Sequence, residues 1–291
     1  MKNTLLTLAC FGAINHVYAL DITPDLKKIK DSGVLNIGVR TNAPPFSLYN
    51  DGAPQGYVVD LCNTIATNLQ KDLNTTLKVQ YVPVTTADRF ELIDNGKVDI
   101  ECGTTTVTKA RREKADFSYN TFITSTNFVT LAQNKVRNTR DFYAPLVEQK
   151  KKVALMKGSA HEEWVKNWVQ GEKLSVVYVD NIQEGIKQVH SGQAYLFIQD
   201  KVLIQKAMND LKLNKNQFFF SSNSISIEPY SIMVKKGNKG LLSYVNSELR
   251  TYYKSGNAKI NMEKYFQPNG MTIDYLNNDM LRTPSTENAV P

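Results

Sequence analysis

The chain has 291 residues, 42% of them hydrophobic, and 35 Lys and Arg against 28 Asp and Glu give it a formal net charge of +7. That length buries a sizeable core and exceeds a typical single domain, so two lobes are expected. An uninterrupted apolar run of about 18 residues, the least a membrane-spanning helix needs, is absent from the sequence. Basic residues are scattered and do not interleave with aromatic ones, which argues against nucleic acid as a partner and for solubility or anionic ligands. The histidines His16, His161 and His190 show no ligand spacing with the cysteines, so neither a metal nor another cofactor is expected.

At the N-terminus, Lys2, the apolar stretch from Leu5 to Ile14 and the small-residue end Val17-Tyr18-Ala19 read as a secretory signal, residues 1–19, cleaved after Ala19. Cys10 is disfavoured as a lipid attachment site, because Thr7-Leu8-Ala9 lacks the leucine expected three residues upstream. The mature chain keeps Cys62 and Cys102 in an oxidising compartment. One falls on a predicted helix and the other at a predicted strand end, so two separate buried thiols are expected rather than a bridge, which needs Cα atoms within about 7 Å.

From Asp25 to Lys30 a short amphipathic helix is expected, closed by Ser32-Gly33, followed by a strand over Val34 to Val39 and a turn at Asn50-Asp51-Gly52. Leu61, Ile65 and Leu69 recur at helical spacing between Asp60 and Leu69, and Leu77 to Val82 reads as a second strand. Thr86 to Asp94 is predicted as a helix ended by Asn95-Gly96, and Val98 to Glu101 as a third strand. Strands alternating with helices indicate a parallel sheet covered by helices. Asn127 to Leu131 is expected as a connecting strand and Asn134 to Pro145 as a polar loop.

A second α/β unit then repeats the plan. It has a strand at Lys152 to Leu155, a helix opened by Gly158-Ser159, strands at Ser175 to Val179 and Ala194 to Ile198, and a helix from Ile182 to Val189 between them. Tyr230 to Val234 is the expected return crossing, with closing helices over Leu241 to Tyr253 and Ala258 to Phe266. Beyond Met271 the sequence turns polar, with Pro284 and Pro291, and a mobile tail is expected. Two α/β lobes joined by two crossings place a cleft between sheet ends.

The stretch Val98 to Ser118 orders a strand end at Gly103, a run of hydroxyls and a helix start carrying Arg111. Gly103 permits close approach to the backbone, a helix N-terminus offers unpaired N–H groups, and a guanidinium can grip a carboxylate with two parallel hydrogen bonds. Gly103-Thr-Thr-Thr-Val-Thr-Lys-Ala-Arg111, with Ala115-Asp-Phe117-Ser118, Gly38-Val-Arg40, Pro44-Pro45-Phe46 and Gly56-Tyr57-Val-Val-Asp60-Leu61, resembles the type 2 periplasmic amino-acid-binding proteins. The resemblance runs from about Gly33 to Phe266 and is strongest to the glutamate/aspartate-binding branch.

It implies a bilobal fold with one lobe over residues 20–124 and 228–291 and the other over 125–227. It also implies a monomeric periplasmic receptor that passes an amino acid to the membrane permease of an ABC transporter. By the same resemblance Arg111 with Thr106 clamps the α-carboxylate, and Gly103 and Thr104 border the ligand. Ser159 offers a hydroxyl, and Asp200 balances the ammonium from the second lobe. Arg40, Thr86 and Arg89 fall where that branch binds the distal carboxylate, which points to an acidic side chain. Asp200 also fits a helix N-cap ahead of Lys201.

Two departures stand out. The branch carries a histidine where this chain has Asp180-Asn181-Ile182, leaving Asn181 as the substitute donor, and its threonines after Gly158 become Ser159-Ala160-His161. A competing expectation is a dehydratase on the same fold, which would need a general acid in the cleft. Glu101 and Glu228 are the only candidates, and neither has a recognisable partner in the sequence.

Overall fold

The computed structural model describes residues 21–50, 52–169 and 171–285, so the signal segment and Cys10 lie outside the described residues. The first α/β unit consists of α1 (Pro24–Ser32), β1 (Val34–Arg40), the small antiparallel pair β2 (Leu48–Asn50) and β3 (Ala53–Gln55), α2 (Tyr57–Asp72), β4 (Lys78–Val84), α3 (Arg89–Asp94), β5 (Ile100–Cys102) and α4 (Lys109–Arg112). A long strand, β6 (Ala115–Leu131), leads out of it. The second unit follows with β7 (Val153–Met156), α5 (Ala160–Trp168), β8 (Val176–Val179), α6 (Ile182–His190), β9 (Leu196–Asp200), α7 (Lys201–Asp210) and β10 (Phe218–Phe220). The chain returns through β11 (Ser226–Lys235) and ends in α8 (Lys239–Lys254), α9 (Asn257–Phe266) and α10 (Tyr275–Arg282).

The main sheet has the order β4-β1-β5-β11-β6-β9-β7-β8, with β10 paired to β6. Pairing is parallel within β4-β1-β5 and within β9-β7-β8, and antiparallel where β11 and β6 join the two parallel sets. Two α/β units thus share one sheet through two long strands, and the expected lobe boundaries at 124/125 and 227/228 fall inside those strands. Parallel strands covered by helices are buried on both faces, and β1, β5, β7 and β9 are accordingly almost wholly inside.

Phe46, Tyr57, Phe122, Tyr230 and Phe266 form an aromatic cluster where β6 and β11 leave the first unit. Phe46 meets Phe122, Tyr230 and Phe266 edge-on at 4.8, 5.3 and 5.2 Å between centroids. Edge-to-face contacts of this kind favour one arrangement of the rings beyond simple burial, and so fix how the crossing strands emerge.

Four expectations need correction. Cys62 and Cys102 form a disulfide, because α2 packs on β5 with their Cα atoms 6.4 Å apart, closer than element assignment alone could show. The supposed tail past Met271 contains α10, opened by Asp274, whose side chain accepts from the Asn277 N–H. Asn277 and Met280 on that helix are buried. The supposed loop from Asn134 to Pro145 buries Val136 and Phe142 and contains a 3-10 turn over Thr139–Phe142, capped by Asn138. Finally, the helix predicted to begin at Thr86 begins at Arg89, which leaves Thr86 in the preceding turn.

α10 has a clear task. β9 stops pairing with β6 at Thr126, so the edge of β6 beyond it would present bare backbone groups. The Asn277 side chain supplies both partners there, accepting from Ile123 N–H at 2.8 Å and donating to Ile123 C=O at 2.8 Å.

Candidate functional site

The strand ends of both units converge on one cleft, whose lining includes Arg40, Thr86, Arg89, Thr104, Thr106 and Arg111 from the first unit and Ser159 and Asp200 from the second. Of the residues expected in the site, Gly103 and the substitute donor Asn181 are the two missing from this lining. Gly103 stands just behind, where an added Cβ would fall 2.1 Å from Glu101 Oε1 and 2.7 Å from Arg40 Cγ. Only glycine lets β5 turn there while Arg40 and Glu101 keep their places.

Three guanidinium groups dominate the first-unit wall, all buried. Arg40, at the end of β1, donates to Thr104 Oγ1 at 3.2 Å and to Thr86 Oγ1. Arg89 opens α3 and donates across the cleft to the Gly158 carbonyl at 3.3 Å. Arg111 donates to the Thr106 carbonyl at 3.0 Å and to the same Gly158 carbonyl at 3.1 Å. The Phe90 ring lies under both, its centroid 5.5 Å from the Arg89 guanidinium carbon and 5.6 Å from that of Arg111, a cation–π floor.

Burial works against the charge on all three, and on Arg89 the neighbouring Arg111 and Arg40 add to it. Glu101 offsets part of this. It is fully buried, accepts from Thr105 Oγ1 at 2.8 Å, and is held above its ordinary pKa by burial, against the pull of Arg89 and Arg40. Half-exposed Glu163 approaches Arg111 Nε at 3.7 Å from the rim. Glu101 is the leading counter-charge for Arg40 and Arg89, whereas Arg111 is met by Glu163, Glu228 and Asp200 before it. No local pattern marks Glu101's partners, because Arg40, Arg89 and Thr105 come from β1, α3 and the turn after β5.

The opposite wall belongs to the second unit. Ser159 caps α5, its hydroxyl accepting from Glu162 N–H at 3.1 Å. Asp200 occupies the N-cap position of α7 without using its side chain there. That carboxylate instead faces His161, with Nε2 and Oδ1 3.4 Å apart. Asn181 is spent on capping α6, where it accepts from Glu184 N–H at 2.9 Å, and Ile182 takes the lining position. Asn181 is thus not the substitute donor that sequence reasoning offered.

Sequence reasoning left His161 without a role and offered Glu228 only as a candidate general acid. His161, Asp200 and Glu228 each place a ligand-type atom within 4.8 Å of the other two, and all three are buried. A metal ion could bridge such a spacing, but the direct imidazole–carboxylate approach beside the Arg111 charge makes this a buried ion-pair cluster. Burial opposes the charge on His161, while Asp200 and then Glu228 outweigh it and raise its pKa above the ordinary 6.5. Burial, then Asp200, also pushes the Tyr230 hydroxyl well above its ordinary value, so it stays neutral. The only sequence signal was the displacement of threonines by Ser159-Ala160-His161.

Besides the arginine bonds to Gly158, the side chain of Asn42 joins Gln183 at 3.2 Å across the cleft. Gly158 has a φ of 74°, and a Cβ there would meet Thr86 O at 2.9 Å, so the two walls touch through a backbone that only glycine makes thin enough.

The chain is similar to the L-glutamate/L-aspartate-binding protein of Pseudomonas aeruginosa, with 31% identity over 268 residues covering 89% of this chain and 86% of the relative. It is 28% identical to the glutamate/aspartate import solute-binding protein of Escherichia coli over 246 residues, 83% of this chain and 79% of that protein. A solved cysteine-binding protein from Campylobacter jejuni shares the fold, with a TM-score of 0.73 and 23% identity, covering 87% of this chain and 97% of that one. Residues 35–268 match the bacterial extracellular solute-binding proteins, family 3, and with its two α/β units and the cleft between them the chain belongs to that family.

Proposed function

We propose that this protein is a periplasmic receptor that closes two lobes on an amino acid with an acidic side chain, glutamate or aspartate, and delivers it as a monomer to the permease of an ABC transporter. The observation that carries the reading is the convergence of Arg40, Arg89 and Arg111, all buried, on one cleft, with Glu101 as the leading counter-charge of the first two. A buried cation lacking a full partner is costly, so a ligand bringing two carboxylates is favoured where a neutral or cationic side chain is not. Arg111 with Thr106 takes the α-carboxylate. Arg40 and Arg89, with Thr86 and Thr104, take the distal one, and Ser159 borders the ligand. Asp200, free of helix capping, takes the ammonium.

The names of the relatives from Pseudomonas aeruginosa and Escherichia coli support an acidic ligand. A dehydratase is disfavoured, because the matched family and these relatives are solute-binding proteins by name. Thermal-shift and calorimetric titration with glutamate, aspartate, lysine and leucine test the reading. Stabilisation by the two acids alone is expected, and a larger shift with lysine overturns the choice of ligand. Incubation with a prephenate-like acid is expected to give no turnover.

A further inference from the structure

Asp200 lines the cleft, Glu228 is buried beside it, and His161 brings a potential cation within 4.8 Å of both carboxylates. Glu228 Oε1 is taken by the hydroxyls of Thr126 and Ser226, each at 2.6 Å. Its Oε2 and His161 Nδ1 find no hydrogen-bond partner among the described residues, and Asp200 Oδ1 meets His161 Nε2 only as an ion pair at 3.4 Å, without hydrogen-bond geometry. Buried polar atoms are rarely left so, and a cation beside two buried carboxylates offsets the cost of burying them.

We propose that the imidazolium of His161 stands in for the ammonium of an amino acid, so that the same cleft also takes dicarboxylic acids that have no amino group. This rests on the acidic-ligand reading above. A site that met the ammonium with carboxylates alone would reject such an acid, since binding would bury those carboxylates unpaired. Here the protein carries its own cation. With glutamate, the ammonium and the imidazolium compete for Asp200, and the proton leaves His161. With glutarate nothing competes, and His161 must hold the proton.

The groups acting on His161 are Asp200 on β9 and Glu228 on β11, which favour its charge, and Arg111 on α4, which opposes it; Tyr230 on β11 is neutral. Their balance lifts His161 above its ordinary 6.5, so the pH window lies from there upward. Glutarate affinity therefore rises as pH falls through that window and glutamate affinity declines, each by up to about tenfold per pH unit. Without ligand, the raised folded-state value stabilises the protein fully at acidic pH, and that stabilisation is lost as pH rises through the window.

Calorimetric titration of the mature protein with glutarate and with glutamate, at roughly pH 6 and roughly pH 8.5 in two buffers of different ionisation enthalpy, tests this. Opposite pH slopes are expected, with proton uptake for glutarate and release for glutamate. His161→Gln is expected to weaken glutarate binding at least tenfold at the lower pH and to remove the proton exchange with both ligands. If glutamate binds and glutarate does not, if both slopes share a sign, or if His161→Gln takes glutarate like wild type, the inference is wrong and the receptor reading stands. If neither acid binds, both fall.

Discussion

Arg111 and Gly158 meet across the cleft, the guanidinium donating to the carbonyl oxygen at 3.1 Å, and Arg89 donates to that same oxygen at 3.3 Å. A carbonyl oxygen carries only a partial charge, so both arginines gain by exchanging it for a carboxylate. The contact that joins the walls is thus one a ligand can outbid.

Arg111→Ala is expected to remove glutamate binding. Truncating one partner of a desolvated, hydrogen-bonded charge pair costs roughly 2–5 kcal/mol, about 30-fold or more in affinity. Arg111→Lys keeps the charge but loses the planar fork, and should also lose at least tenfold. Calorimetric titration beside far-ultraviolet circular dichroism checks both; near-native affinity in the alanine variant removes Arg111 from the site.

Gly158→Ala is expected to hold the walls apart. The added methyl would meet Thr86 O at 2.9 Å and Ala87 Cα at 3.1 Å, at a φ of 74° that strains any side chain. Affinity should drop tenfold or more, and small-angle scattering with saturating glutamate should give a larger radius of gyration than wild type. Equal radii would show that the walls do not have to touch at this point.

Asn277→Ala should destabilise the protein by about 1–3 kcal/mol, because Ile123 would lose the partners for both its backbone groups. Urea unfolding measures this. An unchanged midpoint would mean that water serves the strand edge equally well.

The bridge between Cys62 and Cys102, with a sequence separation of 40, closes a loop whose chain entropy is worth about 4 kcal/mol. The double alanine variant should therefore melt well below wild type, and thiol titration of denatured, unreduced mature protein should find neither sulfhydryl. Two free thiols per chain would return these residues to the separate, buried state read from the sequence.

How much could be read in advance divides along physical lines. β1, β7 and β9 were legible because short apolar runs bounded by turn residues report strands directly, and Gly103 to Arg111 because its hydroxyls, glycine and arginine follow one another in the chain. The pairings of His161 with Asp200 and of Cys62 with Cys102 join separate elements, and their geometry is set by packing that no local pattern encodes. α10 was missed for another reason. Asp274 capping a helix with Leu276 and Met280 four apart was a usable signal, hidden by a composition otherwise typical of a terminus.

The shared strands bear on how such a cleft could move. Two units that exchange their chain only through β6 and β11, and keep those strands paired, swing by twisting a ladder rather than by flexing a loop. The register of β11 slips between Tyr230 and Met233, where the ladder is already interrupted and yields most easily. α10 grips β6 at Ile123, which faces Pro229 on β11, just beside that weak point. α10 therefore braces the shared ladder from the side, beside the stretch where its register is broken.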